Sequence, residues 1–420
     1  MIILAYILSG LSLLMSILFL IKPKVSIGFM VLWLPLIAGA LSPYWAIIGL
    51  AGAVMGLISQ AFWSVPMGIV GAGTMIVYIW RCTRNHGGFE KAFGAGWSDG
   101  IQPQQARLMV QRRWSMYLKM KASPETIWER DVPFWTVPGT DRQLLCDIWH
   151  PVNGRASGLA FIYLHGSGWA ALDKDFGTRP FFRHLVAQGH TVMDVAYRLI
   201  PEVDIYGMVS DAKHAVAWMK TNAERFDVNP EKVVLGGGSA GAHIAMLAGY
   251  TPEHPGLTPE DLSDIDLSVT GIISYYGPSD IEADYKHYNI KEFPPVQFGV
   301  KVEGKDAFRN AGRTDILLGG HPEDVPEMYE LANPGTHVHQ GSPPTLLMQG
   351  NMDFLVPLEG TLKLYKKLIE SGVPAIIVIF PWTEHAFDLL LPQFSPPAQS
   401  ALYNVDRFLA ILLNKDGEDE

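Results

Sequence analysis

Between Lys24 and Arg81 the chain runs for 56 residues without a charged side chain. Soluble domains carry about one charged residue in four, whereas the core of a bilayer solvates neither charges nor bare backbone and so selects for such a stretch. A spanning helix takes about 20 apolar residues. Residues 2–21 make a first expected span, closed by Lys22-Pro23-Lys24. Breaks at Ser42-Pro43 and from Ser59-Gln60 to Ser64 divide the uncharged run, and Tyr44/Trp45, Trp63 and Tyr78/Trp80 are spaced like interfacial anchors. The expectation is four spans, near 2–21, 25–42, 45–62 and 65–80. The last is short, which leaves three spans as the alternative. A cleaved signal peptide fits less well, because no basic segment precedes the apolar one and apolar sequence continues at once. No span contains Asp, Glu, His, Lys or Arg, so an anchor is expected and a transporter is not.

Residues 1–84 carry a charge of +4, against a formal −10 for the whole, so residues 85–420 carry −14. An acidic soluble part is not drawn to phosphate backbones, and nucleic-acid binding is not expected. Two cysteines, Cys82 and Cys146, make neither a disulfide framework nor a four-ligand zinc site. Arg81, Arg84 and Lys91 outnumber Lys22 and Lys24 by one, which directs the large C-terminal part to the cytoplasm by the positive-inside rule. The two basic clusters share a side with three spans and oppose each other with four.

Residues 85–130 read as an amphipathic connector. From Gln104 to Lys121 a helix is expected, with Leu108, Trp114, Met116 and Tyr117 among Arg112, Arg113, Lys119 and Lys121. Such a helix could lie on lipid headgroups or pack on the domain that follows. From 131 to 420 short β-rich runs alternate with helical periods, the pattern of βαβ units and a mostly parallel sheet. An antiparallel pair is expected at 131–137 and 142–149. Further strands are expected at 158–164, 191–196, 232–236, 269–276, 344–349 and 375–380, with helices near 179–188, 208–225, 240–249, 358–371 and 399–414. Residues 281–342 are too long for a simple connection and read as a lid or excursion.

The strand Val233–Gly236 leads into Gly237-Gly238-Ser239-Ala240-Gly241, and helical sequence follows. This is G-x-S-x-G in the strand–turn–helix setting it requires: the turn strains the serine and leaves room only for small residues two positions either side. Serine is a weak nucleophile and needs a histidine base oriented by a carboxylate. Asp353 follows the strand at 344–349, and His385 follows the strand at 375–380, in the chain order serine, acid, histidine. Carboxyl ends of parallel strands are where such sheets place their sites. Asp280 is the second candidate acid. Glu384 adjoins His385 but is not expected to point at it. His321, His337 and His339 lack an accompanying carboxylate or cysteine cluster, so no metal is expected. An oxyanion needs backbone N–H donors; the turn His165-Gly166-Ser167-Gly168-Trp169 can expose them, and Ala240 N–H adds another.

His165 to Trp169 resembles the His-Gly-Gly-Gly-Trp motif of hormone-sensitive-lipase-like and BD-FAE-like carboxylesterases. Tyr197-Arg198-Leu199-Ile200-Pro201-Glu202 resembles their Tyr-Arg-Leu-Ala-Pro-Glu segment, and Asp211 to Trp218, Gly237 to Gly241, Asp353 with Val356-Pro357, and His385 follow in the family's order. The resemblance covers about 130–414. It implies an α/β-hydrolase fold, with Ser239 as nucleophile, His385 as base, Asp353 as its orienter, and Gly166, Ser167, Gly168 and Ala240 forming the oxyanion turn. It implies no cofactor. Ser167 in place of the middle glycine, and Ile200 in place of alanine, depart from the pattern. The multi-span anchor lies outside it and is similar to that of membrane-bound isoprenylcysteine methylesterases.

The function expected is therefore a membrane-anchored serine carboxylesterase acting on a lipophilic ester, with the bilayer as partner; a homo-oligomer is compatible with the sequence. The alternatives are an amidase or lactonase with the same triad, as in aryl-formamidase-like relatives, and a non-catalytic ligand receptor on the same scaffold.

Overall fold

The computed structural model describes residues 1–19, 21, 33–122, 125–152, 154–288 and 314–414. It opens with α1 (Ile2–Leu18), α2 (Trp33–Ala40), α3 (Ser42–Ser59) and α4 (Ser64–Thr83). The long helices meet through small residues. A Cβ added to Gly49 or Gly71 would fall on Ser12, and one added to Gly52 or Gly68 would fall on Ser9. As positions descend in α1 they ascend in α3 and descend in α4, so α1 and α4 run parallel, with α3 antiparallel between them. Ser9, Ser12 and Ser16 are buried, while Ile7, Val54, Leu57, Ile69 and Ile76 are each more than half exposed. The polarity of a water-soluble bundle is reversed: small and hydroxylic groups lie inside, branched aliphatics outside.

Helices lie close to the expected spans at 2–21, 45–62 and 65–80. The expected span at 25–42 falls largely outside the described residues. Its end, α2, is eight residues long and packs against the C-terminal helix of the soluble domain. By length and composition α3 and the helical run beginning at Ser64 are apolar enough to cross a membrane; α1 is a shorter apolar helix.

The connector differs from the expected helix at 104–121. It holds α5 (Gly88–Phe93) and α6 (Pro103–Leu108), and then proceeds without regular structure. The reason is competition for its backbone and side chains. Val110 N donates to Asp406 Oδ2 at 2.6 Å, Ser115 N to Gln399 Oε1 at 2.8 Å and Leu118 N to Gln393 O at 2.7 Å, while Arg113 Nη1 reaches Asn404 Oδ1 at 2.8 Å. The basic residue Arg113 thus faces the domain, over the ring of Tyr403.

Eight strands form one sheet in the order β1-β2-β4-β3-β5-β6-β7-β8. β1 (Ile127–Thr136) and β2 (Gln143–His150) are antiparallel, as is the β2–β4 pair; β3 (Ala160–Leu164), β4 (Thr191–Val195), β5 (Val233–Gly238), β6 (Gly271–Tyr275), β7 (Thr345–Gly350) and β8 (Ala375–Phe380) are mutually parallel. The central strands are almost continuously apolar because helices cover both faces. Those helices are α7 (Arg179–Val186), α8 (Ile205–Thr221), α9 (Ala240–Tyr250), α13 (Leu358–Glu370) and α14 (Pro396–Asn414). Within the expected excursion at 281–342 lie α10 (Ile281–Tyr288), α11 (Thr314–Leu318) and α12 (Pro326–Leu331); residues 289–313 lie outside the described set. One apolar core joins Phe19, Leu36 and Tyr78 of the bundle to Ile376, Phe380 and Phe408 of the domain.

The bundle makes a direct test. A valine at Gly68 would place Cβ 2.3 Å from the carbonyl oxygen of Gly49 and 3.0 Å from Ala53 N, where only backbone is available to yield. Gly68→Val is expected to lower the thermal midpoint of the detergent-solubilised protein, at a cost of about 1–3 kcal/mol. Gly73→Ala, which meets nothing within 4 Å, is expected to leave it unchanged.

Candidate active site

Ser239 caps α9 at the end of β5 with φ 54° and ψ −125°, a conformation few L-residues adopt. Its amide donates to Tyr275 O at 2.9 Å, which ties the strained residue to β6. The tightness of the elbow is set by its neighbours. A Cβ on Gly237 would sit 2.4 Å from Leu164 O, and one on Gly241 would sit 2.1 Å from the same oxygen and 2.5 Å from His165 O. α9 therefore starts in backbone contact with the end of β3, and any side chain at either glycine pushes it off.

That contact brings the turn after β3 beneath the serine. A Cβ on Gly166 would lie 3.4 Å from Ser239 Cβ. Ser167, which stands where the resemblance implies glycine, is buried, and its hydroxyl is used: Trp169 N donates to Ser167 Oγ at 2.9 Å, Ser167 Oγ lies 2.7 Å from Tyr197 Oη, and Tyr197 Oη donates to His165 O at 2.8 Å. The substitution thus adds a side-chain brace to the turn. Gly168 and Trp169 both have positive φ, 54° and 62°. Among the described residues, the backbone amides of Gly166, Ser167, Gly168 and Ala240 have no protein acceptor. Amides without a protein acceptor are available to an anionic oxygen.

Two buried histidines hold this turn in place. His165 stacks on Tyr197 with centroids 4.5 Å apart, and burial pushes its pKa down to about 4. His243, also pushed down to about 4 by burial, accepts from Trp169 Nε1 at Nδ1 (3.2 Å) and donates from Nε2 to Ala332 O at 2.7 Å. Both are neutral supports. Ile200, which stands where the related motif has alanine, is buried, and its amide donates to Trp169 O at 2.9 Å. Arg198, beside it, forms a forked pair with Asp211, Nη2 to Oδ1 at 2.6 Å, which fixes the segment carrying Tyr197.

The structure brings Asp353 and His385 together. Nδ1 of His385 donates to Asp353 Oδ2 at 2.9 Å. The carboxylate also accepts from Gln349 Nε2 at 2.8 Å, and its other oxygen accepts from Leu355 N and Val356 N at 2.9 and 2.8 Å. With Asp353 held as an acceptor on every side, the imidazole proton sits on Nδ1, which leaves Nε2 basic. No hydrogen bond joins Nε2 to the Ser239 hydroxyl in this structure; such bonds are often long before substrate binds. The two side chains share one rim, because Tyr276, the residue after the one that holds Ser239 N, packs its ring 4.4 Å from the His385 imidazole.

Asp280 is not beside His385: it pairs with Lys363 at 2.9 Å and accepts from Ala283 N. Glu384 accepts from Phe354 N at 3.2 Å. His321 meets Tyr285 Oη at 2.8 Å and His337 meets Leu331 O at 2.7 Å. Among the described residues no group of His, Cys, Asp and Glu could hold a metal ion. Gln349, Tyr276 and Asp388 were not singled out by the sequence. Tyr276 Oη donates to Asp388 Oδ1 at 2.5 Å, so this carboxyl lies behind the ring that flanks His385. Its only sequence signal is the spacing of three from His385, which does not reveal a link through Tyr276, 112 residues away.

Known proteins can now be set against this geometry. The BD-FAE family profile matches residues 146–368, more than half of the chain. This chain belongs to the BD-FAE family. The BD-FAE match includes the oxyanion turn, Ser239 and Asp353 and ends before His385. Among curated proteins, the chain is 27% identical over 267 residues to the probable carboxylic ester hydrolase LipM of Mycobacterium tuberculosis, covering 63% of this chain and 57% of LipM. It is 26% identical over 264 residues to esterase LipQ of the same organism, covering 62% and 57%. The match thus spans a little over half the length of these relatives. Esterase B from Lactobacillus rhamnosus superposes with a TM-score of 0.54 at 20% identity, covering 72% of this chain and 91% of that one. Apo esterase 2 of Thermogutta terrifontis gives 0.51 at 22% identity, covering 70% and 95%. These neighbours establish the α/β-hydrolase fold.

Asp388 yields a pH prediction. Burial pushes its carboxyl up to about 6. A carboxyl whose pKa rises on folding favours the folded state while protonated, so its contribution is present below about 4 and is lost as pH rises through 6. The stability of the natural protein minus that of Asp388→Asn is therefore expected to fall between pH 4 and 6, by on the order of 3 kcal/mol at the limit. Urea unfolding of both proteins across that range measures it; a flat difference would contradict the assignment.

Proposed function

We propose that this chain is a membrane-anchored serine carboxylesterase that acts on lipophilic esters. The observation that carries the chemistry is the coincidence of a strained Ser239, four unpaired amides and the Asp353–His385 pair on one rim of the sheet. His385 Nε2 takes the Ser239 proton as the hydroxyl oxygen attacks the ester carbonyl. The tetrahedral oxyanion accepts from the amides of the 166–168 turn and Ala240. His385 then protonates the departing alcohol, leaving an acyl-serine. Water, deprotonated by the same nitrogen, attacks the acyl carbon, and Ser239 leaves with its proton restored. The curated relatives are named as an esterase and a probable carboxylic ester hydrolase, which favours an ester over an amide.

The anchor rests on the reversed polarity of the bundle. Outward aliphatics with an interior of glycine and serine suit helices packed in lipid, where close van der Waals approach replaces hydrophobic burial as the driving force. α1 and α4 end at the same end of the bundle, where Arg81 and Arg84 lead toward the catalytic domain. The reading favoured is three spans with that end in the cytoplasm, the side to which the positive-inside rule directs basic residues that follow a span. A lipophilic substrate partitions into the same bilayer, so tethering raises its concentration at the site.

Hydrolysis of p-nitrophenyl esters of graded chain length by the full-length protein tests the chemistry. Ser239→Ala is expected to lower kcat by at least about 10³-fold, and chains of eight or more carbons are expected to be preferred over acetate. Activity retained by Ser239→Ala would overturn the catalytic reading; strict acetyl preference would overturn the lipophilic one. Alkaline carbonate is expected to leave the full-length chain in the membrane pellet, and its release into the supernatant would overturn the anchor.

A further inference from the structure

The loop that carries His385 is strained at both ends. Trp382 has φ 54° and Ala386 has φ 58°, left-handed values at non-glycine residues on either side of the imidazole. Such a conformation persists only where surrounding contacts over-determine it. On one side the contacts come from the Asp353 loop. Asn351 Oδ1 accepts from Trp382 N at 2.7 Å, and Thr383 O accepts from Met352 N at 3.1 Å. Thr383 O also lies where a Cβ on Gly350 would fall, at 2.2 Å.

The other side is covered by α4 of the apolar bundle. Tyr78 Oη lies 3.2 Å from Thr383 Oγ1. Thr383 commits its own proton to Pro381 O at 3.0 Å, so the tyrosine is the donor. One turn on, Cys82 Sγ is 3.7 Å from Pro381 O, and the Arg81 guanidinium lies 5.0 Å from the centre of the Trp382 ring. Tyr78 is fixed in turn by the bundle: Phe19 stacks on it with centroids 4.4 Å apart, and a Cβ on Gly39 would lie 2.9 Å from its hydroxyl. A chain of contacts thus runs from the end of α1 and from α2 through Tyr78 to Thr383, two residues before His385.

We propose that Tyr78, acting through Thr383, is a positioning residue for His385, so that the helical bundle is part of the catalytic architecture as well as an anchor. This rests on the reading of Ser239, His385 and Asp353 given above. Without the Tyr78 bond the 381–385 loop relaxes and the imidazole loses part of its alignment with Asp353. Proton transfer slows while Ser239 and the 165–169 turn, which make no hydrogen bond to Tyr78 or Thr383 among the described residues, keep their places.

The test uses full-length protein in detergent and p-nitrophenyl butyrate, a small ester that needs no delivery from lipid. Tyr78→Phe keeps the ring and its stack on Phe19 and removes only the hydroxyl. It is expected to lower kcat about 3–10-fold, the scale of one hydrogen bond, with KM within about twofold. Thr383→Val is expected to do the same, and the double variant to be no worse than the weaker single. Ile69→Ala, on the outward face of the same helix, is expected to behave as the natural protein. Unchanged kcat in Tyr78→Phe and Thr383→Val, or a loss that falls on KM instead of kcat, would overturn the proposal; should Tyr78→Phe fail to fold, Thr383→Val decides. Ser239→Ala separates the two levels: activity retained there defeats the catalytic reading, whereas activity lost there, with both bridging variants normal, defeats only the role of the bundle.

Discussion

The contact between the first turn of α9 and the end of β3 organises the active rim. Two carbonyl oxygens, of Leu164 and His165, occupy the space that side chains at Gly237 and Gly241 would take. With that contact go the positive φ of Ser239, the place of Ala240 at a helix N-terminus and the approach of Gly166 to Ser239. The helix dipole and the unpaired amides then favour negative charge at the same point. A larger side chain at either glycine would separate Ser239 from the 165–169 turn at once, so the requirement is steric before it is electrostatic.

The two halves of the molecule are held by different physics. The sheet and its helices bury branched aliphatics, as a water-soluble domain does, whereas α1, α3 and α4 meet through Gly49, Gly52, Gly68 and Gly71 against Ser9 and Ser12. Close backbone approach gives the bundle its cohesion with little apolar burial, and its aliphatics are left outward. The halves nonetheless share a boundary. The end of the bundle at Tyr78 and Cys82 packs on the loop after β8, so the loop that carries His385 lies next to the end of the bundle that Arg81 and Arg84 mark.

Much of this was legible in the chain. The strands fall within a few residues of where alternation and β-rich runs place them, and Ser239, Asp353 and His385 each follow a strand end. Local pattern sufficed because each of these features depends on a few neighbouring residues: glycines where backbone must approach backbone, an aspartate in a turn, a histidine after a strand. The connector misled for a physical reason. Its 3.6-residue periodicity from 104 to 121 is genuine, but Asp406, Gln399 and Asn404 of α14 bind its backbone and its arginine and leave no helix after Leu108. Tyr276 and Asp388 were illegible because their meaning depends on a long-range register, β6 beside β5 and β7, that no local pattern encodes. Ser167 looked like a defect in a glycine motif; its hydroxyl, bound by Trp169 N and Tyr197, makes it a brace.

The most direct measurement is the site of covalent labelling by a fluorophosphonate, read by mass spectrometry of the digested full-length protein. The structure predicts one adduct per chain, on Ser239, with labelling slowed at least about 10²-fold in His385→Ala because the base is gone. Absence of an adduct in folded protein, an adduct on another serine, or labelling at the natural rate without His385 would contradict a nucleophile activated by this imidazole.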